Sequence, residues 1–201
     1  MSTRIPRGVA ALALVGALTL SACSSGEPEG GVGEEELITQ VTLALTPDDG
    51  GLTQTLQVTF DADGNNPVFS PAQLRLSPGV TYAGSIDLRD TINNEDITEE
   101  IEDEAEEHLF SYTLSPASAG TVTITDTESD YGPNNGADLA VGIEFEVAVS
   151  DGASGSGTMT ALLYHFDPQE GAVKTSSTDT SDEIDVEVDV PVVFEGLVAR
   201  R

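Results

Sequence analysis

The chain predicts a mainly β protein: a single antiparallel β-sandwich or partly open barrel with one short acidic helix. Three observations predict it. Apolar residues alternate with a period of two over most of residues 37–195, the pattern of half-buried strands. Clusters of Gly, Pro, Asn and Asp break that pattern at short intervals, where turns are needed. A spacing of four appears in one place only, at Ile97, Ile101 and Ala105. With 5% aromatic residues and no Trp, the core has to be aliphatic, helped by Phe60, Phe110, Phe145, Phe166 and Phe194.

The first strand is expected over 36–45, ended by the turn chemistry of Thr46-Pro47-Asp48-Asp49-Gly50-Gly51. Residues 52–60 return as a hairpin, with Leu52, Leu56, Val58 and Phe60 available for one face. After the turn at 61–67, Leu74-Arg75-Leu76 forms a short strand that Pro78-Gly79 ends. A longer strand over 80–90 puts Val80, Tyr82, Gly84, Ile86 and Leu88 on one side. The helix then spans 96–108, a narrow apolar stripe on a charged rod, with Asn94 or Asp96 as its cap. Its acidic C-terminal end opposes the helix dipole unless a cation or His108 compensates. Strands follow at 109–114, 121–125, 139–149 and 158–166. The last strand, 184–194, turns Ile184, Val186, Val188, Val190, Val192 and Phe194 inward. Pro191 cannot donate to a ladder, which places that stretch at an edge or bulge.

The N-terminus has another character. Arg4 and Arg7 precede an apolar run from Val9 to Leu20, which ends in Leu-Ser-Ala-Cys at Cys23, the one cysteine of the chain. This resembles the lipobox of bacterial lipoproteins. The resemblance implies cleavage before Cys23, a diacylglycerol on the Cys23 thiol and an acylated new N-terminus. Several acyl chains anchor stably where one binds marginally. A membrane-spanning anchor is the other reading, but that needs about 20 apolar residues, and this run is several short. The expected division is a signal peptide at 1–22, an acidic flexible tether at 23–36, the sandwich at 37–195 and a tail at 196–201. Ser24 after the cysteine resembles outer-membrane sorting in two-membrane bacteria. The acidic residues that follow either resemble surface-export signals or form a plain solvated linker. The expected address is the cell envelope, reached through lipid on Cys23.

All 36 acidic residues lie beyond Cys23, and the formal net charge of the whole chain is −29. Nucleic acid is a poor partner, because binding a polyanion needs clustered Lys and Arg. Salt adaptation, cation binding and surface solubility each account for the acidity.

Glu35-Glu36-Leu37-Ile38-Thr39, the Asp-x-Asp-Gly turn at Asp61–Gly64, the Tyr-x-Gly of Tyr82 and Gly84, and the run from Asp96 through Glu104 to His108 occur in this order. Leu163 and His165 follow, before Glu183-Ile184-Asp185-Val186. This order resembles a family of uncharacterised acidic lipoproteins common in the Bacteroidota. Some members are labelled as type 1 periplasmic binding folds, an architecture of alternating strands and helices in two lobes that one helix cannot supply. The resemblance brings no activity with it.

Two residues dominate the candidate chemistry. The chain has only two histidines, His108 and His165, each at the border of a regular element and among carboxylates. Glu104 stands four residues before His108, Asp167 lies beside His165, and Asp185 and Glu187 lie on the next strand. If the His165 strand passes near the helix end, His108, His165, Glu104 and Asp167 could form a site for a divalent transition-metal ion. Otherwise His108 is a charge partner of Glu104 and His165 a loop-edge residue. Asp61, Asp63 and Asn65 match the opening of a calcium loop, but Asn66 replaces its Gly and Ala72 its closing Glu. A hairpin turn explains them with fewer assumptions.

The sequence contains no Gly-x-Ser-x-Gly, no cysteine besides Cys23 and no phosphate-binding loop. A non-catalytic binding module is therefore expected, taking a protein or small-molecule ligand at the long loops 126–138 and 167–182. Its alternative is a lipoprotein that binds a divalent cation through His108, His165 and nearby carboxylates.

Overall fold

Eleven strands carry the fold among the described residues: β1 (Gln40–Pro47), β2 (Gln54–Thr59), β3 (Val68–Ser70), β4 (Leu74–Leu76), β5 (Thr81–Asp90), β6 (Glu95–Asp96), β7 (His108–Ser115), β8 (Gly120–Ile124), β9 (Glu144–Val149), β10 (Gly155–His165) and β11 (Glu183–Phe194). Helix α1 (Ile97–Asp103) and the single turn α2 (Glu128–Tyr131) lie between them. The structure is a computed structural model that describes residues 36–61, 65–133, 136–169 and 171–195. The expected signal peptide, Cys23, the part of the expected tether before Glu36, Asp63 and the expected tail lie outside the described residues.

The strands form two open sheets rather than a closed barrel. One has the order β3-β2-β1-β5-β9-β8, with β6 beside β5, and the other has the order β4-β11-β10-β7. Period-two alternation turns one face of each sheet into a shared core. Val41, Leu43 and Leu45 of β1 are wholly buried, as are Met159, Ala161 and Leu163 of β10, and all six belong to one cluster. Burying each large aliphatic side chain contributes about 1.5–3 kcal/mol. Gly84 is required here by a close approach. It is the register partner of Phe145, and a Cβ at Gly84 would lie 2.3 Å from the Phe145 ring.

Several sequence expectations need correction. Leu52 is 91% exposed, and β2 starts only at Gln54. Residues 139–143 join no named strand; Gly142, with φ +99°, breaks their alternation, although Val141 and Ile143 stay buried. One strand pair, β4 with β11, is parallel. Because β4 covers only Val192–Phe194, the stretch of β11 holding Pro191 has an open edge, as its missing N–H demands.

The helix is also shorter than its apolar stripe. It stops at Asp103, with Glu104 as C-cap and no basic residue in its last turn. Unrelieved negative charge at the negative end of the dipole accounts for the early stop. Ala105 is still buried, but from a turn. Glu104 and His108 therefore do not share a helix face, and His108 opens β7.

Candidate metal centre

His108 and His165 are direct register partners on β7 and β10. One pair further along on the same face are Phe110 and Leu163, both in the core. The histidines therefore close one end of the core. Their rings stack at 4.7 Å between centroids and 21° between planes. The side chain of His108 is 0% exposed and that of His165 5%.

Strict alternation on β11 would send Ile184 inward and Asp185 outward. A β-bulge reverses this. Leu163 pairs with Val186 while Tyr164 pairs with Ile184, which leaves Asp185 as the extra residue. Bulges re-aim side chains in this way. Ile184 is consequently 46% exposed, and the Asp185 side chain is fully buried against both histidines.

The fourth group arrives from the chain that leads into β1 of the other sheet. Thr39 is fixed just before β1: its N–H donates to Arg89 O at 3.0 Å, and its hydroxyl hydrogen-bonds that of Thr91 at 2.8 Å. Ile38 enters the core. Two residues earlier, the Glu36 carboxylate reaches the histidine pair with 11% of its side chain exposed.

One donor atom from each of Glu36, His108, His165 and Asp185 lies within 4.8 Å of all the others. His108 Nε2 is 3.8 Å from Glu36 Oε1 and 3.7 Å from Asp185 Oδ2, and His165 Nδ1 is 3.7 Å from Asp185 Oδ1. Glu36 Oε2, His108 Nε2 and His165 Nδ1 are buried with no hydrogen-bond partner. Leaving such groups unsatisfied costs about 1–3 kcal/mol each, so their convergence needs an explanation.

A metal ion supplies one. Donors about 2.0–2.2 Å from a common ion stand roughly 3.3 Å apart in a tetrahedron. The separations of 3.7–3.8 Å, and the others of up to 4.8 Å, would have to contract to that spacing around an ion. Two carboxylates balance the charge of a divalent cation, and two imidazoles favour a transition metal over calcium or magnesium. His108 Nδ1 lies 3.2 Å from the backbone oxygen of Glu104. With Nδ1–H donating there, the Nε2 lone pair is free to face the cluster.

Burial, then the neighbouring His165, pushes the His108 pKa down from 6.5 to about 4. It is therefore a neutral imidazole near pH 7, the form that binds metal. Metal-free protein should lose stability as pH falls, because the unfolded chain takes up a proton that folded His108 refuses. This contribution is fully present above about pH 6.5 and is lost progressively toward about pH 4. Denaturant melts of chelator-treated protein across that window check the sign; a midpoint that rises on acidification contradicts it.

The two histidines thus come together, but their expected carboxylate partners do not. Glu104 contributes its backbone oxygen, and its carboxyl is outside the cluster. That carboxyl is held above its usual pKa, first by burial and then by Glu36. Asp167 accepts the Gln169 N–H at 2.6 Å and is also outside the cluster. Glu36 and Asp185 take these places. In the sequence Glu36 is both the last residue of the expected tether and the first of the expected strand 36–45, and neither place marks it as a partner of the histidines. Asp185 could be placed on its strand, but no sequence signal marked the bulge.

The remaining candidates have internal partners. Asp61 accepts the backbone N–H of Asn65 at 2.8 Å and the side-chain amide of Asn66 at 2.5 Å, an arrangement that fits a turn. The two long loops do meet. Asp126 and Thr127 from one and Ser177–Thr180 from the other line an open cleft of about 530 Å³, floored by Leu109, Phe110 and Ile124.

Lys174 pins the second loop. Its ammonium donates to the backbone oxygens of Ala105 at 2.6 Å, His108 at 2.9 Å and Ala140 at 3.1 Å, and pairs with Glu128 at 2.8 Å. Burial lowers its pKa, and the bond to Glu128 opposes that shift. No protein-family model, curated protein or solved structure matches the chain.

Proposed function

We propose that this protein is a non-catalytic, lipid-tethered envelope protein whose β-sandwich holds one divalent transition-metal ion between Glu36, His108, His165 and Asp185. The observation that carries this reading is the convergence of four buried side chains on one point, with Glu36 Oε2, His108 Nε2 and His165 Nδ1 lacking hydrogen-bond partners. The lipid tether rests on the resemblance around Cys23. The near-complete burial of the four side chains favours ion retention over catalysis, since catalytic zinc keeps an open coordination position.

The test is metal analysis of the full chain after exposure to zinc and removal of excess. One zinc per chain is expected, with none retained by a His108→Ala/His165→Ala variant that keeps its circular dichroism. Calcium at the same concentration should neither displace the zinc nor shift the melting temperature. Failure of the unaltered protein to retain zinc, copper or any other first-row divalent ion would sink the reading.

A second reading concerns the cleft between the loops. Its apolar floor under a polar rim suits a small amphipathic ligand. The two readings do not exclude each other.

A further inference from the structure

Three of the four donors come from one sheet. His108, His165 and Asp185 lie on the adjacent strands β7, β10 and β11. Only Glu36 comes from outside, from the chain just before β1. It is also the most exposed of the four, at 11% against 0%, 5% and 0%. An ion moving between solvent and the site therefore passes Glu36.

The chain around Glu36 changes character within three residues. Thr39 is locked by backbone and side-chain hydrogen bonds, and Ile38 is buried. Leu37 is 36% exposed and does not anchor the chain. Glu36 meets the end of the sandwich through its carboxylate, 3.8 Å from His108 Nε2, and that carboxylate shares its cluster with the one of Asp185. Among these like charges, burial of the Glu36 carboxylate requires a compensating cation.

We propose that Glu36 makes the site a clasp: a bound divalent metal ion fixes the segment before β1 onto the end of the sandwich, and release of Glu36 opens the path by which the ion leaves. This rests on the metal reading above and adds the regulation of that site. Without the ion, the fixed part of the domain starts at Ile38. With it, it starts at Glu36. Freeing two residues adds about 7 Å of reach to whatever precedes them, and it leaves a three-donor site with an open coordination position.

The experiment compares the full chain with Glu36→Gln, using zinc as the probe. Glu36 lies outside every strand and helix, so the variant should fold, and circular dichroism verifies this. Two quantities are read. The first is the rate at which a chromophoric chelator strips bound zinc. Losing a partner in the outer shell alone costs about 10–100-fold in affinity, so losing this donor should speed release by at least that factor while the three remaining donors still bind. The second is cleavage by a glutamate-specific protease after Glu36, located by mass spectrometry. Zinc should slow this cut at least tenfold in the unaltered chain, with no comparable change after Glu187 on β11.

If the unaltered chain binds no zinc, the metal reading fails and the clasp fails with it. If it binds zinc but Glu36→Gln releases the ion at the same rate, the clasp alone is wrong. Zinc-independent cutting after Glu36 also overturns the clasp and leaves the metal reading in place.

Discussion

Zinc at a thousandfold its dissociation constant is expected to stabilise the stripped protein by about 4 kcal/mol, through preferential binding to the folded state. For a domain of this size each kcal/mol moves the melting temperature by about 2–4 °C, so a rise on the order of 10 °C should appear in a thermal scan. A bound ion would link β7, β10 and β11 to the chain entering β1, and so would join the two sheets at one end of the core. Without an ion, Glu36 Oε2, His108 Nε2 and His165 Nδ1 are buried and unsatisfied, which is costly. Asp185→Asn should therefore behave in two ways at once. It removes a negative charge from the stripped protein, leaving stability unchanged or slightly raised, and it abolishes most of the rise on adding zinc. A protein whose melting temperature ignores zinc, or an Asp185→Asn variant that gains as much from it as the unaltered chain, contradicts this account.

The second large effect is expected at Lys174. Its ammonium satisfies three backbone oxygens and the Glu128 carboxylate, which is 6% exposed. Lys174→Met keeps the length and apolar stem of the side chain but leaves Glu128 as a buried charge without its counter-ion. Removing one partner of a buried pair costs about 3–5 kcal/mol. A fall on the order of 10 °C in melting temperature should follow. Adding Glu128→Gln should recover part of it, because the second change removes the stranded charge. If Lys174→Met melts with the unaltered protein, the ammonium is not holding the loop. Lys174 also bonds the His108 carbonyl, so the single variant should release zinc faster as well.

The parts of the fold legible in sequence were those governed by one periodicity. Tyr82, Ile86 and Leu88 face inward on β5 as alternation requires, and so do Val186 to Phe194 on β11. Ile97 and Ile101 mark the buried side of α1. Errors arose where a local event overrode the period. The charge on the helix end stopped α1 early, Gly142 broke a strand that looked continuous, and the bulge exchanged Ile184 for Asp185.

The candidate metal centre is half legible for the same reason. A chain with two histidines, each at the border of a strand, allows few pairings, and β7 against β10 is the one that joins them. Their carboxylate partners depended on a bulge and on the path of the chain before β1. Neither is encoded in spacing along the sequence. Glu104 and Asp167 were near in sequence, whereas Glu36 and Asp185 are near in space.

Lys174 is the only lysine of the chain, and its amine is walled in by carbonyls. Reagents that acylate primary amines consequently have no side-chain target while the fold is intact. An N-terminus blocked by a fatty acyl group would close the other route. Uptake of such a label would then report loss of the contacts by which Lys174 seats the 167–182 loop.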